Sequence, residues 1–199
     1  MKKNIAIFAS GSGTNAENII NYFRNNPRIS INLIVTNRED AFVRERAKRL
    51  EVDSYVIKKE AWKDQNLVND LLSKYNIDYI ILAGFLLRVP QYILNKFHNR
   101  VINIHPALLP KFGGKGMYGD NVHKAVIDSK DEESGITIHF CNENYDEGNI
   151  IFQAKCPILP NDTFEMVAQK VHQLEYKYFP VIIEQVLLDD NIESKGFSS

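Results

Sequence analysis

Short apolar runs alternate with amphipathic stretches through the first half of the chain. The runs predict buried strands at Ile5–Ala9, Ile31–Thr36, Ser54–Ile57, Tyr79–Ala83 and Val101–Ile104. The stretches between them predict helices at Ala16–Asn25, Ala41–Leu50, Leu67–Tyr75 and Tyr92–Phe97. This alternation predicts a parallel sheet with helices on both faces, since continuously apolar strands are typical of sheets buried on both sides.

The second half of the chain has a different pattern. Residues 105–118 contain glycines and prolines and few helix formers, which predicts a long loop, and loops of this length are usually functional. The alternating segment Gly135–Phe140 predicts a half-exposed strand paired with Asn149–Pro157 in an antiparallel hairpin. Helices are predicted at Val122–Asp128 and from the capping box Asp162-Thr-Phe-Glu165 toward Leu188, with the polar residues 190–199 frayed.

These elements define an α/β fold. We expect a doubly wound, mostly parallel sheet with a C-terminal antiparallel hairpin and a long C-terminal helix, in a single domain spanning residues 1–199. The formal net charge of −1 argues against a general nucleic-acid binder. No apolar run approaches the ~20 residues that span a bilayer, and the N-terminal apolar run is too short for a signal peptide. We therefore expect a cytoplasmic protein in which Cys141 and Cys156 are reduced thiols, although the sequence leaves open whether the two approach each other.

A glycine-rich segment, Ser10-Gly-Ser-Gly-Thr-Asn15, lies between the first predicted strand and the first predicted helix. Glycines allow close backbone approach to a ligand, and amides at a helix N-terminus attract anions. With Ala16 the segment also fits a relaxed dinucleotide fingerprint, but the second strand ends in Thr36-Asn37-Arg38 without the acid that binds a ribose. A phosphate site is therefore the favoured interpretation, and a tight turn without a ligand is the alternative.

The segment Asn103-Ile-His105-Pro106 ends the fifth predicted strand. Asn103 and His105 are two residues apart, so both side chains project from the same face of that strand. Ligands of parallel α/β sheets bind at the carboxyl ends of strands, and an amide beside an imidazole suits stabilisation of an oxyanion. The alternative is a structural histidine with all its hydrogen bonds satisfied in the core.

Asp146 lies in the polar connection 142–148 of the predicted hairpin. A carboxylate beside His105 would raise the histidine pKa, but sequence separation does not show whether the two meet. His98 is expected at the surface, whereas His123 and His139 either line the same pocket or pack in the core. We predict no metal site, because no His or Cys residues have the spacing of metal ligands. The sequence contains no nucleophile motif. The three residues Asn103, His105 and Asp146 therefore suggest acyl-type transfer without a covalent enzyme intermediate.

These motifs together resemble the folate-dependent formyltransferases over nearly the whole chain, from Lys3 to about Leu188. The similarity rests on Ser10-Gly-Ser-Gly-Thr-Asn15, Leu82-Ala-Gly-Phe85, Asn103-Ile-His-Pro-Ala-Leu-Leu-Pro110, Gly135-Ile-Thr-Ile-His-Phe140 and Asp146-Glu-Gly148. The N-terminal glycine loop resembles the branch of the family that formylates glycinamide ribonucleotide. The resemblance thus implies a Rossmann-like fold and transfer of the formyl group of 10-formyltetrahydrofolate to the amine of glycinamide ribonucleotide in de novo purine biosynthesis.

The resemblance also implies roles for particular residues. The catalytic residues would be Asn103, His105 and Asp146. Substrate-binding residues would be Gly11, Ser12, Gly13, Thr14, Asn15 and Glu175. Folate-binding residues would be Leu86, Leu87, Arg88, Val89, Asn142, Glu143, Asn144 and Tyr145. The N-terminal half would then bind phosphate, and the C-terminal half would bind folate and carry out the chemistry.

The sequence departs from the family pattern in three places. Leu86-Leu87 precedes Arg88 where the family often has Met-Arg, and only Lys63 is a weak match for a basic residue that holds the folate tail. The loop Lys111–Tyr118 is richer in glycine than the common form. A deformylase, a formyltransferase for another amine, a non-catalytic sensor and a dinucleotide-dependent reductase remain alternatives, and monomer and homodimer are both open.

Overall fold

A computed structural model describes residues 2–189, so the prediction that residues 190–199 are frayed falls outside the described part of the chain. The chain divides into two compact units, of which the first ends at Ile102 and the second begins at Asn103.

The first unit alternates strands and helices, as the hydrophobic pattern predicts. Its strands are β1 (Lys3–Phe8), β2 (Ile29–Thr36), β3 (Ser54–Val56), β4 (Tyr79–Leu82) and the start of β5 (Val101–His105). Its helices are α1 (Thr14–Phe23), α2 (Val43–Arg49), α3 (Gln65–Lys74) and α4 (Gln91–Lys96). A 3₁₀ helix at Lys59–Lys63, which the sequence analysis did not predict, precedes α3.

The strand order in the first unit is β3-β2-β1-β4-β5. β1 pairs with both β2 and β4 in parallel, and β2 pairs with β3 in parallel. The central strand β1 is completely shielded from solvent from Ile5 to Phe8. Burial on both faces explains why this strand is a continuous apolar run rather than an alternating one.

The second unit contains the end of β5 and the C-terminal elements. These are α5 (Asp120–Asp128), β6 (Glu133–Phe140), β7 (Ile150–Pro157) and α6 (Phe164–Leu188). The strand order is β5-β6-β7, and β6 and β7 are antiparallel. The predicted mostly parallel sheet, C-terminal hairpin and long C-terminal helix are therefore confirmed.

Two local predictions in the second unit are wrong. β6 is buried along seven of its eight residues instead of half-exposed, because Thr137 and His139 find polar partners inside the protein. The N-cap of α6 is Thr163, whose hydroxyl accepts from the Met166 amide, one residue later than the capping box predicts. Asp162 instead accepts from the Leu159 amide and pairs with Lys170. Within residues 2–189 no helix is both long and apolar enough to cross a membrane.

Candidate active site

The end of β5 presents two polar side chains from one face of the strand. Asn103 is half-buried, and His105 is 3% exposed. Their spacing of two residues places both on the same side, as the sequence predicts. A polar pair in a strand that is otherwise Val, Ile and Ile needs partners, because burying unpaired polar groups is unfavourable.

His139 on β6 is the partner of Asn103. The Asn103 amide lies 3.0 Å from His139 Nε2, and His139 Nδ1 lies 2.9 Å from the carbonyl oxygen of Phe140. Since a carbonyl only accepts, Nδ1 carries the proton and Nε2 accepts from the amide. The strand pairing is irregular between Ile138 and His139, and such bulges redirect side chains at functional sites. The sequence leaves the placement of His139 open, and the structure puts it beside Asn103.

Asp146 reaches both histidines. Its carboxylate oxygens lie 3.6 Å from His105 Nδ1 and 3.6 Å from His139 Nε2. Asp146 has a left-handed backbone with φ of 58°, which is uncommon for a residue other than glycine. The meeting of Asn103, His105 and Asp146, which the sequence analysis could not establish, is therefore present in the second unit.

The loop after β5 contacts both His105 and Asp146. The His105 Nε2–H donates to the carbonyl oxygen of Phe112 at 2.8 Å, and the Gly114 amide donates to Asp146 at 2.9 Å. Gly113 is packed so closely that an added Cβ would lie 3.3 Å from the Asp146 Cβ. The long loop that the sequence predicted to be functional is thus part of the site.

A threonine on β6 fixes the path of the chain just beyond His105. The Thr137 hydroxyl donates to the Ala107 carbonyl at 2.7 Å and accepts from the Leu109 amide at 2.9 Å. Gln153 on β7 donates to the same hydroxyl and to the Leu109 carbonyl. These bonds satisfy a buried irregular segment that no regular strand pairing serves.

Burial and neighbouring charge act in opposite directions on the pKa of His105. Burial lowers the pKa of His105, and the neighbouring Asp146, which acts to raise that pKa, does not overcome the effect. Burial also acts to raise the pKa of Asp146, but the His139 and His105 rings and the Gly114 amide outweigh it, so the carboxyl pKa is lowered. Asp146 thus acts on the pKa of His105 in the predicted direction, and burial sets the net shift, which the sequence left open.

In the first unit, the glycine loop is built by close packing against α2. Gly13 is the N-cap of α1 and has a left-handed φ of 75°. A Cβ on Gly13 would lie 2.4 Å from Val43 Cγ2, and the Val43 amide donates to the Gly11 carbonyl at 3.1 Å. Glycine at position 13 is therefore required by both backbone conformation and space.

Charged residues of α1 and α2 hold the same loop. Arg46 donates to the Ser12 carbonyl at 2.8 Å and pairs with Glu17, which also pairs with Arg49. Glu17 lies in the first turn of α1, where its charge would repel an anion. The two arginines offset that charge. No local pattern in the sequence predicts these contacts between the two helices.

Ser10 joins the ends of three strands in the first unit. Its hydroxyl donates to the Asn37 side chain beyond β2 and accepts from the Leu86 amide beyond β4 at 2.9 Å. Of the predicted folate-binding residues of this unit, Leu86 and Arg88 are exposed, Leu87 is half-buried and Val89 is buried. Lys63 is exposed at the end of the 3₁₀ helix.

The remaining predicted binding residues lie in the second unit. In the β6–β7 connection, the Asn142 side chain accepts from the Asn144 amide at 3.0 Å, and Tyr145 is 45% exposed. Glu175 on α6 is 5% exposed, and its Oε2 lies 2.9 Å from His172 Nδ1. The charge of Glu175 acts to raise the pKa of His105.

Residues 2–189 contain no group of three acidic, His or Cys residues arranged to hold a metal ion. Cys141 and Cys156 are free, and burial raises the pKa of both thiols.

Comparison with known proteins places the chain in a family. Residues 3–183 match the formyl transferase family. The chain belongs to that family. Among formyl transferase relatives, the phosphoribosylglycinamide formyltransferase of Haemophilus influenzae is 32% identical, over 96% of this chain and 92% of its own length. The chloroplastic phosphoribosylglycinamide formyltransferase of Arabidopsis thaliana is 39% identical over 92% of this chain. The chain spans less than two thirds of that plant protein, at 64% of its length.

Solved formyl transferase structures share the fold. The phosphoribosylglycinamide formyltransferase of Bacillus halodurans has a TM-score of 0.85 and 33% identity, covering 97% of this chain and all of the other. The enzyme of the same name from Anaplasma phagocytophilum has a TM-score of 0.86 and 26% identity, covering 95% of this chain and 89% of the other. The resemblance to formyltransferases drawn from the motifs is therefore confirmed.

Proposed function

We propose that this chain is a phosphoribosylglycinamide formyltransferase, which transfers the formyl group of 10-formyltetrahydrofolate to the amine of glycinamide ribonucleotide in de novo purine biosynthesis. The observation that carries the proposal is the group Asn103, His105 and Asp146, gathered at the end of β5 in a formyl transferase family member. Relatives that match over nearly their full length and carry this name support the choice of acceptor.

The proposed reaction is an acyl-type transfer. The amine nitrogen of the acceptor bonds to the formyl carbon, which gives a tetrahedral intermediate with a negative oxygen. The bond from that carbon to N10 of the folate then breaks, and one proton of the amine ends on N10. The second amide N–H of Asn103, and His105 once it is protonated at Nδ1, would donate hydrogen bonds to the oxyanion, each worth roughly 3–4 kcal/mol of barrier.

His105 is well suited to change its charge during this reaction. Its burial lowers its pKa in the free protein, while Asp146 favours the charged form. An oxyanion beside the ring would add a second negative charge, which favours the imidazolium further. His105 would therefore take up the amine proton as negative charge develops and release it to the leaving nitrogen, assisted by Asp146. Assistance of this kind is worth about 10²–10⁴ in rate.

For the substrate phosphate we propose the loop of Gly11, Ser12, Gly13, Thr14 and Asn15. The loop leads into the N-terminus of α1, where backbone amides and the helix dipole favour an anion. The pairing of Glu17 with Arg46 and Arg49 supports this role because it offsets the one acidic side chain of the first turn.

The other roles remain proposals from the resemblance. Glu175 would contact glycinamide ribonucleotide, and the folate would lie against segments 86–89 and 142–145. The exposed and half-buried residues of these two segments suit ligand binding through the backbone. Cytoplasmic location, a single domain and the choice between monomer and homodimer stay predictions.

One assay tests the proposed function. The protein is mixed with 10-formyltetrahydrofolate with and without glycinamide ribonucleotide, and release of tetrahydrofolate is followed. We expect release that depends on the amine. Release without the amine would indicate a deformylase, and tight binding of the folate without release would indicate a sensor; either result overturns the proposal.

Two histidine variants make the assay specific to the site. His105→Ala is expected to lower turnover at least about 1,000-fold, because it removes both an oxyanion donor and the proton carrier. His98→Ala is the matched control, since His98 is exposed after α4. Full activity in His105→Ala would contradict the mechanism even if the overall reaction were observed.

A further inference from the structure

The buried face of α6 contains one charged residue. Its buried positions follow a helical repeat of Val167, Val171, Glu175, Phe179 and Ile183, with Pro180, Ile182, Val186 and Leu187 alongside. Within Phe164–Leu188, Glu175 is the only acidic or basic member of this face. A carboxylate in an apolar stripe is unfavourable unless neighbouring groups compensate its charge. We therefore expect Glu175 to have a partner that compensates its charge and a function that explains why a carboxylate is buried there.

His172 is the partner, one turn earlier on the same helix. Its Nδ1 lies 2.9 Å from Glu175 Oε2, and since a carboxylate accepts, Nδ1 carries the proton. The His172 side chain is 51% exposed, whereas that of Glu175 is 6% exposed. The histidine thus connects a buried acid to the solvent-facing side of α6. Its ring also stacks on Tyr176.

Helix α5 contributes the other titratable groups near this pair. His123 is buried, and its ring centroid lies 6.3 Å from that of His172. The hydrogen bond to Glu175 raises the pKa of His172, with Asp120 acting in the same direction. Burial lowers the pKa of His123, and the positive charge on His172 lowers it further. Of these two histidines, His172 is therefore the one whose charged form is favoured.

We propose that His172 is a positioning residue that orients the Glu175 carboxylate for contact with the acceptor substrate. This inference rests on the proposed function, because it matters for catalysis only if Glu175 contacts glycinamide ribonucleotide. A carboxylate held by a hydrogen-bond donor 2.9 Å away presents a fixed acceptor, which reduces the entropy lost when the substrate binds. The role concerns substrate affinity and leaves the chemical step at His105 unaffected.

Three variants test this role by steady-state kinetics. His172→Leu removes the donor and is expected to raise KM for glycinamide ribonucleotide about tenfold, the factor for losing one hydrogen bond to a charged group, with kcat and KM for the folate nearly unchanged. His172→Asn places an amide N–H near the position of Nδ1 and is expected to restore most of the affinity. Gln173→Leu is the matched control on the exposed face of the same helix and is expected to leave all constants unchanged.

The pH dependence separates positioning from simple packing. In the wild type, affinity for glycinamide ribonucleotide is expected to fall as pH rises through the pKa of His172, which lies above the ordinary value of 6.5. The fall should be smaller than in His172→Leu, because the neutral ring keeps an Nδ1–H donor and loses only the charge that strengthens the hydrogen bond. The phosphate and amine of the substrate also titrate, but they do so equally with the wild type and with His172→Asn. The difference between the pH profiles of these two proteins therefore reports the titration of His172 alone. His172→Asn is expected to lack that one step.

The outcomes of these experiments distinguish the positioning role of His172 from the proposed formyltransferase activity on which it rests. If the wild type does not formylate glycinamide ribonucleotide, the proposed function fails. If the wild type does and His172→Leu keeps the wild-type KM, the positioning role fails alone. If His172→Leu unfolds, the profile of His172→Asn decides: an unchanged pH step overturns the proposal.

Discussion

The glycine loop of the first unit and the histidine site of the second are held in different ways. The loop is shaped by backbone conformation and by direct contact of Gly13 with Val43. The histidine site is held by side chains and loop groups from positions up to 43 residues apart in sequence, the separation of Asn103 and Asp146. A site of the first kind can be read from a local motif, whereas one of the second kind depends on contacts that sequence order does not reveal.

The largest effect is expected from removing the charge of Asp146. Asp146→Asn keeps the size of the side chain, and asparagine tolerates the left-handed φ of 58°. Among the groups that raise the pKa of His105, the Asp146 carboxylate has the largest effect. Without it, burial lowers that pKa further, so we expect kcat to fall about 1,000-fold. Asp128→Asn, at an exposed aspartate that ends α5, is the control and should keep full turnover. Wild-type kcat in Asp146→Asn would show that the charge is not needed.

The next effect tests the tight packing of the glycine loop. Gly13→Ala combines an unfavourable φ of 75° with a Cβ 2.4 Å from Val43, so we expect the free energy of unfolding in urea to fall by about 3 kcal/mol. Gly84→Ala has the same φ of 75° but no atom within 4 Å of the new Cβ, and is expected to cost about 1 kcal/mol. Equal losses in the two variants would mean that contact with Val43 is unimportant.

A smaller effect is expected from the arginine that braces the loop. Arg46→Met keeps the aliphatic stem and loses the bonds to Ser12 and Glu17, so the free energy of unfolding should fall by about 1–2 kcal/mol. KM for glycinamide ribonucleotide should rise, because Glu17 then faces the phosphate with less compensation. Lys48→Met, exposed on the same helix, should change neither quantity. A rise in KM of equal size in both variants would remove the argument for a specific brace.

The smallest effects are shifts in histidine titration, observable by NMR of the rings. His105 should titrate below 6.5 and His172 above it. Because the folded pKa of His105 is lowered, its contribution to stability is complete above 6.5 and declines as pH falls from 6.5 to the folded pKa. His172 has a raised pKa, so its contribution is complete below 6.5 and is lost as pH rises through the folded pKa. Titration of both at 6.5 would contradict these assignments.

Much of the fold was predictable because its signals are local. The apolar runs located the strands of the parallel region, and the glycine motif fell between β1 and α1 as expected. The strand β6 was misjudged because Thr137 and His139 alternate with isoleucines, a pattern that also describes a strand facing water. Here the polar side chains are buried against Ala107, Leu109 and Asn103, which lie more than 25 residues earlier in the chain.

The candidate site was predictable only in part. Asn103 and His105 stood out by spacing, and His139 gave a similar signal, a polar residue two positions after Thr137 in an apolar strand. The pKa shift of His105 was not predictable, because it depends on the depth of burial as well as on the neighbouring charge. The brace of Arg46 and Glu17 was missed because the two residues belong to different helices whose packing the sequence alone does not specify.

The bond between His105 and the main-chain oxygen of residue 112 has an evolutionary consequence. Every amino acid supplies that oxygen, so selection on this contact acts on the path of the loop and not on the identity of the side chain. What the position does constrain is backbone conformation, with φ of 57°, which glycine and asparagine adopt more readily than phenylalanine. Related proteins are therefore free to drift in side-chain chemistry at this position while preserving the same imidazole contact.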